Sequence, residues 1–496
     1  MHGLLVRENR GMNNQQNIGA IALPFVPQSV SNYAILTYVA ALLTCSVVFM
    51  NQAMIWYWWV FGIVEVGVYF YFANRLTKSW AMLKPKAFEK NLFGWAFAIR
   101  VIVMFFLYWF HTEITGRPFM FSAADAIGYH DEALWIAQTI RDGQFNTYLD
   151  YKFGQGQGVS DAGYPMYLGL VYLLSWDSII VARLLKCLWG ALSCLLLYRV
   201  AKRHFGEQVG RIAGILMMLE SHFWIYGGMH LKETEMIFMA LLFLERADYL
   251  LHSRQFTFRN IAIVVVLMAS LFTFRTVLGL TAVFALGVTL ILSSKRVMSW
   301  GKRIVFFLVF GATALYFAGG RIFSEVEAVW ELKDQNQDAR MSEIVTTQSF
   351  AKYAGAAVFA PVIFTLPFPT MVETEGQEIS RMLHGGMVTK NIMSYFCIIA
   401  LVILLFPILP NMNKWRDHVL PGAFLLAYLL VLVFSAFAHA DRFHMPALPL
   451  EILFMAYGIS LLRAPIIKRW YYVWLVLMFV AFVAWNWIKL AGRGII

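Results

Sequence analysis

Residues 96–110 read AFAIRVIVMFFLYWF, and residues 122–143 read SAADAIGYHDEALWIAQTIRDG. The first stretch sits in a window near 94–111 that is apolar enough to cross the roughly 30 Å hydrocarbon layer of a bilayer. The second follows almost directly and is crowded with carboxylates, a His and a Tyr. An apolar segment that gives way to acid at one end is how a chain leaves a membrane, and it makes this an all-α integral membrane protein.

The rest of the chain agrees. Of 496 residues, 60% are hydrophobic and 14% charged, with a mean hydropathy of +0.63; soluble domains are nearer half apolar and a quarter charged. About 13 windows have the length and polarity of transmembrane helices. They lie near 33–50, 53–74, 94–111, 180–200, 209–228, 233–251, 260–275, 277–293, 303–319, 391–410, 419–437, 445–463 and 470–489. The opening MHGLLVRENRGMNNQQN is polar and reads as a tail rather than a secretory signal.

A net charge of +11 raises the possibility of nucleic acid, but the placement of the bases excludes it as a partner. Arg7 and Arg10, the Arg75–Lys90 group, Arg199–Arg211, Arg254 and Arg259, Lys295–Arg303, Lys414 with Arg416, and Lys468 with Arg469 fall in alternate connections. Cytoplasmic loops collect Lys and Arg in this way, which puts the N-terminus in the cytoplasm and the SAADAIGYHDE segment outside it. The expected setting is a cell envelope, at the inner membrane of a bacterium. Cys45, Cys187, Cys194 and Cys397 all fall within windows, and the Cys187–Cys194 spacing gives about 10.5 Å of helical rise, too far for a disulfide.

Four regions follow: a tail over 1–32, a transmembrane hairpin with a basic loop over 33–93, a module over 94–293 containing a long outer loop at 111–177, and a C-terminal module over 294–496 with a second long outer loop at 320–390. Long loops in compact proteins tend to carry function. In the first, Ile127, Ala133, Leu134, Ala137 and Ile140 recur at helical spacing, the pattern of an amphipathic helix lying on the membrane surface. GYPMYLGLVYLLSW, residues 163–176, reads as a second interfacial helix. In the second loop, the prolines of VFAPVIFTLPFPT at 358–370 argue against a plain spanning helix. GQGQG at 154–158 neither follows a strand nor opens a helix, so it reads as a linker rather than a nucleotide loop.

Asp125 opens the surface helix. A carboxylate there is placed to take a proton from a substrate hydroxyl, or simply to cap the helix. Tyr129 and Glu132 lie one and two turns on along the same face, while His130 points to the apolar side; each is a candidate to bind substrate, with a solvated face as the plain alternative. Asp131, Glu132 and Asp142 read first as a solvated helix face. GGMHLKETEM at 227–236 places Lys232 and Glu233 at a tight outer connection, where a Lys either neutralises a lipid phosphate or snorkels. Arg275 in LFTFRTVLGL and Arg442 in AHADRFHMPALP stand at two further outer connections, and charges so near a span face a cavity or a partner. Cations from three connections and anions from the long loop suit the binding of a phosphate and the activation of a hydroxyl. His130 and Asp125 are too sparse for a metal site.

The pieces DAIGYHDEALWIA, GYPMYLGLVYLL leading into VARLLKCLWGALSCLLLYRVAKRHFG, HLKETEM and DRFHMPALPLE stand in that order along the chain. In that order they resemble the GT-C integral-membrane glycosyltransferases, in particular glycosyltransferase family 39, which includes protein O-mannosyltransferases and aminoarabinose transferases. FTFRTVLGL looks like a degraded Arg-Pro-Thr-Gly-Leu stretch, without the Pro, and the hairpin before residue 75 is additional to the common plan. The resemblance implies a GT-C-like fold and an inverting transfer of sugar from a polyprenyl phosphate to a protein, lipid or glycan acceptor on the extracytoplasmic face. It implies Asp125 as general base, with Asp131 or Glu132 able to share the role, and Lys232, Arg275 and Arg442 around the departing phosphate. Tyr129, His130, Glu132, Tyr164 and Glu233 are the further candidate substrate contacts. No cofactor is required, although some relatives use a divalent metal ion. Two rivals stand beside this reading: a membrane glycan polymerase or ligase using lipid-linked oligosaccharide, and a lipid-linked sugar transporter or flippase, which would carry charges deep in broken helices.

Overall fold

The computed structural model describes residues 23–120, 124–154, 161–253, 257–292, 371–373, 416–434 and 441–491, with isolated positions at 301, 304, 308, 311 and 495. Among these residues the protein is helical: α1 Gln28–Val48, α2 Trp56–Ser79, α3 Pro85–Thr115, α4 Ala124–Arg141, α5 Phe145–Leu149, α6 Gly163–Ser175, α7 Ile179–Phe205, α8 Glu207–Leu219, α9 Ser221–Gly228, α10 Glu233–Ser253, α11 Phe258–Phe274, α12 Thr276–Leu292, α13 Val419–Phe434, α14 Leu448–Leu461 and α15 Pro465–Ala491. Helices α1, α3, α7 and α15 are each long and apolar enough to cross a membrane, and α11, α12, α14 and Val419–Leu432 are shorter apolar helices. The protein is therefore an α-helical membrane protein. Most of the window at 303–319, the window at 391–410, the proline patch at 358–370 and most of GQGQG lie outside the described residues.

One expected span is broken. The window at 209–228 is not a single helix: α8 ends at Leu219, Glu220 takes an extended backbone (φ −68°, ψ 118°), and α9 starts at Ser221. Glu220 is fully buried and its carboxylate meets His222 Nδ1 at 2.8 Å. A count of apolar residues cannot see this break, because a buried carboxylate that caps the following helix costs the window little hydropathy.

Helix α7 fixes the two ends of the molecule, since its 27 residues rise about 40 Å. At its C-terminal end Arg199 pairs with Glu89, Arg203 with Glu245 and Asp248, and His204 with His418. Nearby, Arg211 donates to the carbonyls of Trp80, Ala81 and Leu83. Among the described residues, the basic connections at 75–90 and 199–211 thus gather at one end with Glu245, Asp248 and His418. The acid-rich segment gathers at the other, where α4 packs on α6 at Gly169. A Cβ at Gly169 would stand 2.5 Å from Ile136 Cγ2, so only Gly lets the helices approach this closely. Ala133, Ile136 and Ala137 form the buried face of α4. Ile127 and Leu134 pack against the core only in part.

The additional hairpin α1–α2 is packed in rather than appended: Ser31 Oγ donates to Phe70 O, Tyr33 meets Tyr472 of α15 edge to face, and Tyr471 donates to Val30 O. Its turn also receives Met371–Glu373, through a bridge between Ala53 and Val372 and a bond from Glu373 N to Gln52 O.

Candidate functional site

Helix α4 carries Asp125 in its first turn, inside the helix rather than at its cap. A carboxylate there is favoured by the positive end of the helix dipole. Its partner comes from the far end of the sequence: Asp125 Oδ2 lies 2.5 Å from Arg442 Nη1, with 46% and 31% of the two side chains exposed. Arg442 sits in the short helical turn Asp441–Phe443 that leads into α14. The Phe443 ring beside it carries two cations, the guanidiniums of Arg275 at 4.2 Å and of Arg442 at 4.9 Å from its centroid. Buried Tyr428 of α13 donates to Phe443 O at 2.8 Å, which holds the ring in place. Arg275 is set at the junction of α11 and α12, where its extended backbone ends one helix before the next begins.

One turn on from Asp125, Tyr129 lies beneath Lys232, whose Nζ is 5.4 Å from the ring centroid. Burial, then the charges of Asp161, Glu233 and Asp125, push the Tyr129 phenol far above its usual range, so it stays protonated. Lys232 is itself buried and forms an ion pair with Asp161, which is half exposed. Glu233, the first residue of α10, is 2% exposed; its Oε2 has no hydrogen-bond partner among the described residues, and its charge bears on both Arg442 and Tyr129. Tyr164 of α6 packs edge-on against Tyr129 at 5.1 Å and lies under Lys186 of α7 at 5.5 Å. Lys186 is anchored by Glu235 at 2.9 Å and by the carbonyl of Leu231.

Of the residues singled out in sequence, Asp125, Tyr129, Tyr164, Lys232, Glu233, Arg275 and Arg442 are brought together at this end of the bundle. Two are not. Glu132 accepts from Tyr148 at 3.0 Å and from Lys152 at 2.8 Å, so it fastens α4 to the segment that follows instead of entering the site. His130 turns to the other side of α4, where its Nδ1 lies 2.7 Å from the Tyr172 hydroxyl. Asp131 is exposed. Sequence reasoning passed over Asp161, which follows the Gly-rich stretch, and Lys186 and Glu235. A Lys just inside the start of an apolar window, facing a second Glu in LKETE, was the available signal for the last two.

The set alternates in sign: Asp125 with Arg442, Asp161 with Lys232, and Glu233 between them. In such a site an incoming anion competes with the carboxylates for the same cations. Among the described residues, no group of three or more His, Cys, Asp and Glu side chains is arranged to hold a metal ion. The sequence matches no protein-family model and no curated protein.

Proposed function

We propose that this protein is a GT-C-type membrane glycosyltransferase that moves a sugar from a polyprenyl phosphate to an acceptor hydroxyl on the extracytoplasmic side. In this reading the chain crosses the membrane about thirteen times with its N-terminus in the cytoplasm, each crossing needing about 20 apolar residues. The observation that carries the reading is the convergence of Asp125, Lys232, Arg275 and Arg442 from four separate connections, with Asp125 and Arg442 in direct contact.

The chemistry follows from that contact. An arriving phosphate competes for Arg442 and Lys232 and releases Asp125. Released from the guanidinium, the carboxylate is free to take the proton of the acceptor hydroxyl as that oxygen attacks the anomeric carbon. The new carbon–oxygen bond forms as the bond to the phosphate oxygen breaks, and the electron pair departs on the polyprenyl phosphate. Lys232, Arg442 and Arg275 stabilise the charge that develops there. The aromatic floor of Tyr129, Tyr164 and Phe443 suits the apolar face of a sugar ring.

One observation favours a second reading, transport of a lipid-linked sugar: the helix break at Glu220, with its buried Glu220–His222 pair inside an expected span. An assay of purified protein in vesicles separates the two. With a radiolabelled polyprenyl-phosphate sugar and a mixture of acceptors, the transferase reading expects label to leave the lipid. Label that crosses the bilayer while still attached to its lipid would establish the transporter instead.

A further inference from the structure

Beside the site just described lies a second group of buried polar side chains that the proposed reaction does not use. Arg183 of α7 is fully buried. Its Nη2 donates to Pro118 O and its guanidinium lies over the Tyr108 ring at 5.4 Å, but Nε and Nη1 have no hydrogen-bond partner among the described residues. No carboxylate among the described residues forms an ion pair with it. His111 of α3, three residues on from Tyr108, is 1% exposed, and neither ring nitrogen has a hydrogen-bond partner among the described residues. His230, two residues before Lys232, is also 1% exposed; its Nε2 lies 3.1 Å from the Tyr172 hydroxyl and its Nδ1 has no hydrogen-bond partner among the described residues. Phe119, the neighbour of Pro118, closes the group, with its ring 5.4 Å from His130 and 5.9 Å from His230. The charge of Arg183 bears on His111, His130, Tyr172 and His230 alike.

A buried cation without a counter-charge is strongly unfavourable, and unmade hydrogen bonds on buried donors add to that cost. Both are relieved together by one oxyanion. The layout repeats that of the first site: α4 gives Tyr129 to one and His130 to the other, α6 gives Tyr164 and Tyr172, α7 gives Lys186 and Arg183, and the connection before α10 gives Lys232 and His230. We propose that Arg183, His111 and His230 form a second anion site, built to receive one phosphate or carboxylate group. This inference does not rest on the transferase reading.

The neighbouring hydrogen-bond chain supplies a reporter. His130 Nδ1, the Tyr172 hydroxyl and His230 Nε2 form a line of 2.7 and 3.1 Å contacts, and a hydroxyl can donate to only one of the two rings. An anion at Arg183 requires a proton on His230 Nδ1. Tyr172 then donates to His230 Nε2, and His130 donates to Tyr172. Burial holds both imidazoles below their usual proton affinity, so they respond by tautomer rather than by charge.

The test is ¹⁵N-histidine NMR on the full-length protein in nanodiscs, with the His230 signal identified by its loss in His230→Asn. Three conditions are compared: neutral lipid alone, neutral lipid with inorganic phosphate, and nanodiscs containing phosphatidic acid. A saturable move of His230 to the Nδ1–H tautomer with inorganic phosphate establishes a site open to free oxyanions; a move only with phosphatidic acid establishes a site for a lipid headgroup. Arg183→Gln should abolish either response, and Arg183→Lys, which keeps the charge, should retain it with weaker affinity. An unchanged wild-type His230 signal in both anionic conditions overturns the proposal whether or not the Arg183 variants fold.

Discussion

Arg442 and Asp125 stand 317 positions apart in the sequence, yet Nη1 of the one lies 2.5 Å from Oδ2 of the other. The pair is partly exposed, so on its own it contributes little to stability, about 0–1 kcal/mol. In the proposed mechanism it holds a base and a phosphate-binding cation in reserve against each other. On that proposal Arg442→Gln removes a charge-assisted contact to the donor phosphate, worth about 1.5–3 kcal/mol. The expected result is a rise of roughly 10–100-fold in the donor KM with little change in melting temperature, read by steady-state kinetics and thermal unfolding. A fall in kcat at unchanged KM would mean that Arg442 only props Asp125.

The Lys186–Glu235 pair is a different case, with side chains 0% and 4% exposed. Removing one partner leaves an uncompensated buried charge. Lys186→Met should lower unfolding free energy by about 3–5 kcal/mol, whereas the double change Lys186→Met with Glu235→Leu should recover most of the loss. Denaturant unfolding of the wild type and the two variants reads this directly, and equal damage in the single and double variants would contradict it.

Acid should weaken the outer layer. Burial holds His130 below its usual value of 6.5, and buried His230 is displaced the same way. The unfolded chain then takes up protons that the folded chain refuses, so this stability is present above about pH 6.5 and is lost as pH falls below it. Melting temperatures between pH 8 and pH 5 should decline, and His130→Gln should flatten the decline. An unchanged slope in that variant would show that His130 is not among the groups responsible.

Gly169 sets the distance between α4 and α6, and through it the position of Asp125. A Cβ there would meet Ile136 Cγ2 at 2.5 Å and the Ala133 carbonyl at 3.3 Å. Gly169→Ala should cost about 1–3 kcal/mol and reduce transfer with it. Gly128, which has nothing within 4 Å of such a Cβ, is the control and should tolerate Ala.

Much of the site was legible in sequence because a charge stands out in an apolar chain. Lys232, Arg275 and Arg442 are conspicuous as single bases at connections otherwise poor in base, and Asp125 as the first acid of a carboxylate-rich stretch, and the structure brings them together. Asp161 was not, since a lone acid after a Gly-rich stretch looks like any solvated loop residue. Glu132 was misplaced because helical periodicity gives the face of a side chain but not the partner that captures it, here Lys152 and Tyr148. The break at Glu220 escaped for a related reason: hydropathy windows average over the one residue whose backbone turns. Arg183 shows the limit most clearly, since its burial depends on Pro118 and Tyr108, which come from a different part of the chain.

The central claim is that Asp125 takes the proton of the acceptor, and the most direct measurement of it is the single-turnover rate of sugar transfer from polyprenyl phosphate by wild type and by Asp125→Asn in vesicles. Asn keeps the size and a hydrogen bond to Arg442 but is not a base. The expected loss is about 10²–10⁴-fold in rate with the variant folded and donor binding retained. Transfer by Asp125→Asn at the wild-type rate would contradict the account.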